Sequence, residues 1–123
     1  MNWYNVVLRG QEAHCGTTPM DMRRDTLLCA SKMVVKINEI ALGMPGTLAS
    51  VAVINSTPQS INTLAGRVQF NVDLRAEDDD LLAQVEKRIE QACLAIAQAD
   101  GVKLETWDKF WSSPKTKIGR AHV

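Results

Sequence analysis

Residues 67–75 alternate without a break. Val68, Phe70, Val72 and Leu74 fall on one side, and Arg67, Gln69, Asn71, Asp73 and Arg75 on the other. Successive side chains of a strand leave on opposite faces, so this run has one apolar and one polar side. It calls for an antiparallel sheet with one face buried and the other wet. The remainder of the chain must supply neighbouring strands and a cover for the apolar face.

Both are legible. Residues 3–9 alternate Trp3, Asn5, Val7 and Arg9 with Tyr4, Val6 and Leu8, which predicts a first strand. Residues 22–42 carry helical spacing, with Leu27, Ala30, Val34, Ile37 and Ala41 on one stripe, flanked by Leu28, Met33 and Ile40. Gly43 and Pro45 close that helix. Residues 48–55 predict a second strand centred on Val51, Val53 and Ile54, and residues 57–60 a loop. After the alternating strand, the acids at 77–80 cap a second helix and favour its dipole. Its stripe is Leu82, Val85, Ile89, Ala92, Cys93 and Ile96, and Gly101 ends it. Residues 102–107 give a fourth strand. The order β-α-β-β-α-β predicts an α+β, ferredoxin-like fold, a four-stranded antiparallel sheet with two helices on one face.

Composition narrows the function classes. The chain has 123 residues, 46% of them hydrophobic, which suits one globular domain. Fourteen basic residues balance 14 acidic ones, and aromatics are 5%, so neither a basic nucleic-acid face nor a base-stacking platform is indicated. Three cysteines, Cys15, Cys29 and Cys93, lack C-x-x-C spacing, which argues against a disulfide framework or structural zinc. Cys29 and Cys93 fall on apolar helix faces as small core residues. No run is long enough to span a membrane and no signal sequence opens the chain, so the expected localisation is cytoplasmic.

Residues 10–25, G-Q-E-A-H-C-G-T-T-P-M-D-M-R-R-D, form a strand-to-helix junction. Thr18 can cap the helix, Pro19 suits its first position, and Gly16 loosens the turn after His14. By spacing alone His14 is a loop histidine with a local hydrogen bond, Asn62 a turn residue, and Arg75 a solvated strand-end arginine. The only other histidine is His122, to which no function is assigned. Nothing here has metal-ligand spacing, and Asp78, Asp79 and Asp80 sit where helix capping explains them, so no metal site is assigned to this chain.

The junction resembles the signature of the M20 metallopeptidase clan. It is most similar to the branch of N-carbamoyl-L-amino-acid hydrolases and allantoate amidohydrolases, where A-H-A-G-T-T-P-M is typical and Cys15 here replaces an alanine. The segment Asn62-Thr63-Leu64-Ala65-Gly66 resembles the family's N-V-I-P-G, with Ala65 in place of proline, and residues 70–75 resemble F-x-x-D-x-R. The resemblance covers roughly residues 3–113. It implies a lid and dimerisation domain of a metal-dependent amidohydrolase that cleaves non-peptide C–N bonds in N-carbamoyl amino acids or allantoate. His14 would stabilise the oxyanion in the partner subunit's active site, and Asn62 and Arg75 would bind substrate, Arg75 as a carboxylate clamp. The implied cofactors are two divalent metals, zinc or manganese, on a catalytic domain outside this chain, which alone would be inactive. The implied partners are a second copy, through the first helix and an edge strand, and a small ureido substrate bearing a carboxylate; allantoate, N-carbamoyl-L-amino acids and N-carbamoyl-β-alanine all qualify.

Residues 1–110 are thus read as the lid and dimerisation domain, and 111–123 as a truncated tail without a partner element. Residues 118–123, I-G-R-A-H-V, match codons of a sequencing-adapter sequence and are read as non-native. Two alternatives stand beside this: the lid of an M20 aminoacylase or dipeptidase, and a stand-alone ferredoxin-like binding module.

Overall fold

The structure is a computed structural model and describes residues 1–114. The tail segment 118–123 and His122 lie outside the described residues. The elements in order are β1 (Asn2–Arg9), β2 (Ala13–His14), α1 (Thr26–Leu42), β3 (Thr47–Ser50), β4 (Ile54–Thr57), β5 (Thr63–Leu64), β6 (Arg67–Ala76), α2 (Asp79–Asp100) and β7 (Lys103–Ser112). A single 3-10 turn, Met20–Met22, precedes α1. The main sheet runs β3-β6-β1-β7, all antiparallel, with β4 also on β6. The ferredoxin-like expectation holds: β3 and β4 together are one edge, and both helices cover one face.

The alternating run is the centre of the molecule. Val68, Phe70, Val72 and Leu74 are all buried, and they pack with Tyr4, Val6 and Leu8 of β1 under α1 and α2. Each such side chain contributes about 1.5–3 kcal/mol by leaving water. From α2, Leu82, Val85, Ile89, Cys93 and Ala97 close the core, and Cys29, Ala30, Met33 and Ile37 do so from α1. Asp78 caps α2 through Leu81 N–H at 2.8 Å, and Gly101 ends it at φ 68°, in the left-handed region where a side chain is strained.

Three sequence expectations change. The helix expected from residue 22 begins at Thr26 and is capped by Asp25, which accepts from Leu28 N–H at 3.1 Å. Thr18 caps nothing; its Oγ1 donates to His14 C=O at 2.8 Å. The buried face of the helix is Thr26, Cys29, Ala30, Met33 and Ile37, and Leu27, expected in the stripe, is 41% exposed. The expected strand 48–55 is broken: Ser50 faces Asp73 and Ile54 faces Phe70, so three edge residues oppose two on β6. That is a β-bulge, a device typical of a sheet edge. Finally, β7 passes the expected boundary at 110. Trp111 lies opposite Trp3 with ring centroids 6.0 Å apart, and Ser112 Oγ donates to Asn2 Oδ1 at 2.7 Å. Residues 111 and 112 thus have the partner strand that the tail reading denied them. Further in, Tyr4 donates to Glu86, which also takes Lys109 at 3.0 Å, tying β1, α2 and β7 together.

Candidate functional site

A small two-stranded ribbon builds the site. Ala13 pairs with Leu64 and His14 with Thr63, and Cys15 N–H donates to Asn62 C=O at 2.8 Å. Positions almost fifty apart in sequence are thereby set side by side. Two glycines let the ribbon leave the main sheet: Gly10 N–H donates to Gly66 C=O, and Gly66 N–H to Thr57 C=O, each at 3.0 Å. A Cβ on Gly10 would lie 2.2 Å from Thr26 Oγ1 and 2.5 Å from Arg24 C=O, so no larger residue fits at this crossing.

His14 is exposed, and its ring is fixed from one side. Gly16 N–H donates to Nδ1 at 2.9 Å. An accepting Nδ1 carries no proton, so the neutral ring holds its proton on Nε2. Among the described residues Nε2 has no protein partner, which leaves it as a donor facing outward. Asn62 is organised in the same sense. Ser60 Oγ and Thr63 Oγ1 donate to its Oδ1 at 2.8 and 3.2 Å, so its Nδ2 amide is the free end. The same ribbon thus carries two neutral side-chain donors, His14 in β2 and Asn62 at the entry to β5. The local hydrogen bond expected for His14 and the turn expected at Asn62 are both present, and they aim the side chains rather than merely satisfying them.

Beside the ribbon lies a groove of about 420 Å³ walled by Cys15, Leu28, Ser56, Pro58 and Thr63. The loop from Cys15 to Thr18 is closed by a residue the sequence reading did not single out. Arg23 Nη2 donates to Cys15 C=O at 2.8 Å and Nε to Thr18 C=O at 3.1 Å. Its only sequence signal was its place in the R-R-D run.

Arg75 is elsewhere. The ribbon joins β6 at its Arg67 end, and Arg75 lies eight residues along that strand. At about 3.4 Å per residue the separation is about 27 Å. Within one protomer Arg75 therefore shares no site with His14 and Asn62. It projects from the polar face with Leu48 opposite on β3. Its Nε and Nη2 donate to Asp73 Oδ1 and Oδ2 at 3.0 and 3.1 Å. The guanidinium beside it, aided by a hydrogen bond from Trp3, holds the Asp73 carboxyl below the usual carboxylate range; Asp73 in turn raises Arg75. The grip uses two of the five N–H groups, so both protons of Nη1 and one of Nη2 remain for a second carboxylate.

Among the described residues no group of three or more His, Cys, Asp or Glu side chains is placed to hold a metal ion. The described residues therefore do not fit a metal centre, and no step is assigned to one here. No described helix is long and apolar enough to cross a membrane.

Comparison with known proteins agrees with this architecture. A family model described as the peptidase dimerisation domain matches residues 1–100. The chain is 36% identical over 101 residues to an N-carbamoyl-L-amino-acid amidohydrolase of Rhizobium meliloti, covering 81% of the chain and 24% of that relative. It is 31% identical over 107 residues to the allantoate amidohydrolase of Escherichia coli (strain K12), covering 85% of the chain and 26% of that relative. The structure is similar to that of a hydantoinase/carbamoylase family amidase from Burkholderia ambifaria, with a TM-score of 0.88 and 37% identity over 92% of this chain and 28% of that one. The chain thus spans about a quarter of the length of the relatives it matches.

Proposed function

The chain belongs to the family of M20 peptidase dimerisation domains, and on that premise we propose that it is the substrate-binding lid of a metal-dependent amidohydrolase acting on N-carbamoyl amino acids or allantoate. The observation that carries this reading is the pair of outward donors on the β2–β5 ribbon, His14 Nε2–H and Asn62 Nδ2. A neutral donor held rigidly in a closed site stabilises the oxyanion of a tetrahedral intermediate more than water does, because nothing must reorganise as charge develops. Arg75 matches the carboxylate that all three candidate substrates carry, by planar bidentate geometry that a lysine lacks.

The span of about 27 Å along β6 far exceeds a ureido amino acid. If all three side chains hold one substrate, they come from two protomers: His14 and Asn62 from one, Arg75 from its partner. A homodimer is in keeping with the family. Its contacts in this reading are the exposed stripe of α1, with Leu28, Val35 and Leu42 at 48%, 59% and 78% exposure, and the β3–β4 edge with exposed Leu48, Val53 and Ile54. Two divalent metals, zinc or manganese, would be held by a catalytic domain beyond this chain and would activate the attacking water. This chain by itself would not hydrolyse substrate, because the metal-bearing domain lies outside it, and the enzyme would work in the cytoplasm.

The test is the full-length enzyme that carries this chain, assayed with added divalent metal against allantoate, N-carbamoyl-L-amino acids and N-carbamoyl-β-alanine. Hydrolysis of one of them, lost in His14→Ala with kcat falling about 100-fold or more, is the expected result. A complete enzyme that hydrolyses peptides or N-acyl amino acids instead would replace this reading with the aminoacylase or dipeptidase one.

A further inference from the structure

The His14 turn is held by short-range hydrogen bonds rather than by apolar packing. Gly16 and Thr17 are exposed, and no buried apolar side chain anchors residues 15–18. What closes it is the Arg23 guanidinium, which donates at once to Cys15 C=O, at the start of the turn, and to Thr18 C=O, at its end. Between these carbonyls, Gly16 N–H meets His14 Nδ1, and Thr18 N–H and Oγ1 both donate to His14 C=O, at 3.2 and 2.8 Å. One rigid planar fork therefore spans the loop whose backbone sets the histidine tautomer. Hydrogen bonds from a charged donor are about twice as strong as neutral ones, and the partly buried setting of these two limits competition from water. A lysine ammonium can reach one of the carbonyls but cannot reproduce the fork.

We propose that Arg23 is a positioning residue for His14: by bracketing the Cys15–Thr18 turn it keeps Gly16 N–H on Nδ1 and so keeps the donating proton on Nε2. The effect of Arg23 on rate rests on the oxyanion role proposed for His14; its effect on the tautomer rests on the geometry alone.

The experiment uses the full-length enzyme carrying this chain, labelled with 15N-histidine and held at a pH where the ring is neutral. His14→Ala assigns the resonance. The wild type is expected to show the Nε2–H tautomer alone, and Arg23→Lys and Arg23→Gln a mixture of both. In both variants kcat falls about tenfold while KM moves less than about threefold, the mark of an interaction felt in the transition state. In the His14→Ala background, Arg23→Gln lowers kcat no further. Retention of a single Nε2–H tautomer in both Arg23 variants would overturn the proposal. So would an equal loss of kcat with and without His14, which would make Arg23 a general structural residue. If His14→Ala leaves kcat intact while the tautomer still shifts, the oxyanion reading fails and the positioning of His14 by Arg23 stands.

Discussion

Asp73 grips Arg75 side-on, Oδ1 against Nε at 3.0 Å and Oδ2 against Nη2 at 3.1 Å, two positions apart on the same face of β6. The half-exposed guanidinium is thereby fixed in plane while its outer edge stays open. Trp3, directly opposite Asp73 on β1, adds a further hydrogen bond to the carboxylate. If Arg75 clamps a substrate carboxylate, Arg75→Ala in the full-length enzyme raises KM about 10- to 100-fold, the range of a charge-assisted bidentate contact. Asp73→Asn frees the side chain and raises KM about threefold to tenfold through lost preorganisation. An unchanged or lower KM in Asp73→Asn would mean that repulsion between Asp73 and the substrate outweighs positioning.

The crossing of Gly10 over the start of α1 is the tightest backbone approach among the described glycines. Gly10→Ala brings a methyl to 2.2 Å from Thr26 Oγ1 and is expected to destabilise the chain by about 2–4 kcal/mol. Thr26 Oγ1 is buried without a hydrogen-bond partner. Thr26→Val keeps the shape and removes the stranded hydroxyl, so it raises stability by about 1 kcal/mol. Urea midpoints of the two variants, moving in opposite directions, check both statements.

The two helix cysteines make stability fall in alkali. Burial pushes the Cys29 and Cys93 thiols from about 9 up to about 12, and Tyr4 is raised as well, first by burial and then by its hydrogen bond to Glu86. Between pH 9 and 12 the unfolded chain gives up thiol protons that the folded chain keeps. Stability from these groups is therefore complete below pH 9 and is lost as pH rises towards 12. Denaturant midpoints at pH 8, 10 and 11 should decline, and less steeply in Cys29→Ala/Cys93→Ala. At pH 8 a thiol reagent should modify half-buried Cys15 alone until denaturant is added.

Leu28, Val35 and Leu42 recur at seven-residue spacing on the exposed side of α1, with Ser31 and Asn38 between them. Such a seam suits a second helix packed alongside. Val35→Glu with Leu42→Glu is expected to convert a dimer of the full-length enzyme into monomers by sedimentation, while Leu94→Glu, on α2, leaves the dimer intact. If the three site residues come from two protomers, activity falls with the dimer fraction.

Local pattern determined the central strand and the two helices that cover it. The unbroken alternation of 67–75 could only be a half-buried strand, the helical stripes could only lie over it, and Asp78 and Gly101 bounded α2 as their residue types require. Periodicity and caps are short-range signals, and they survive folding because tertiary contacts agree with them. His14, Asn62 and Arg75 were named through the family likeness of short motifs, but their geometry was not in those motifs. The β2–β5 ribbon is two residues long on each side, too short for any periodic signal, and it exists because Gly10 and Gly66 let distant segments meet. Thr18 donates within the His14 turn instead of capping, and Asp25 caps α1. That two candidate residues share one ribbon while the third lies a strand's length away is set by how the chain crosses itself. Contacts between segments remote in sequence decide that, and only the tertiary structure contains them.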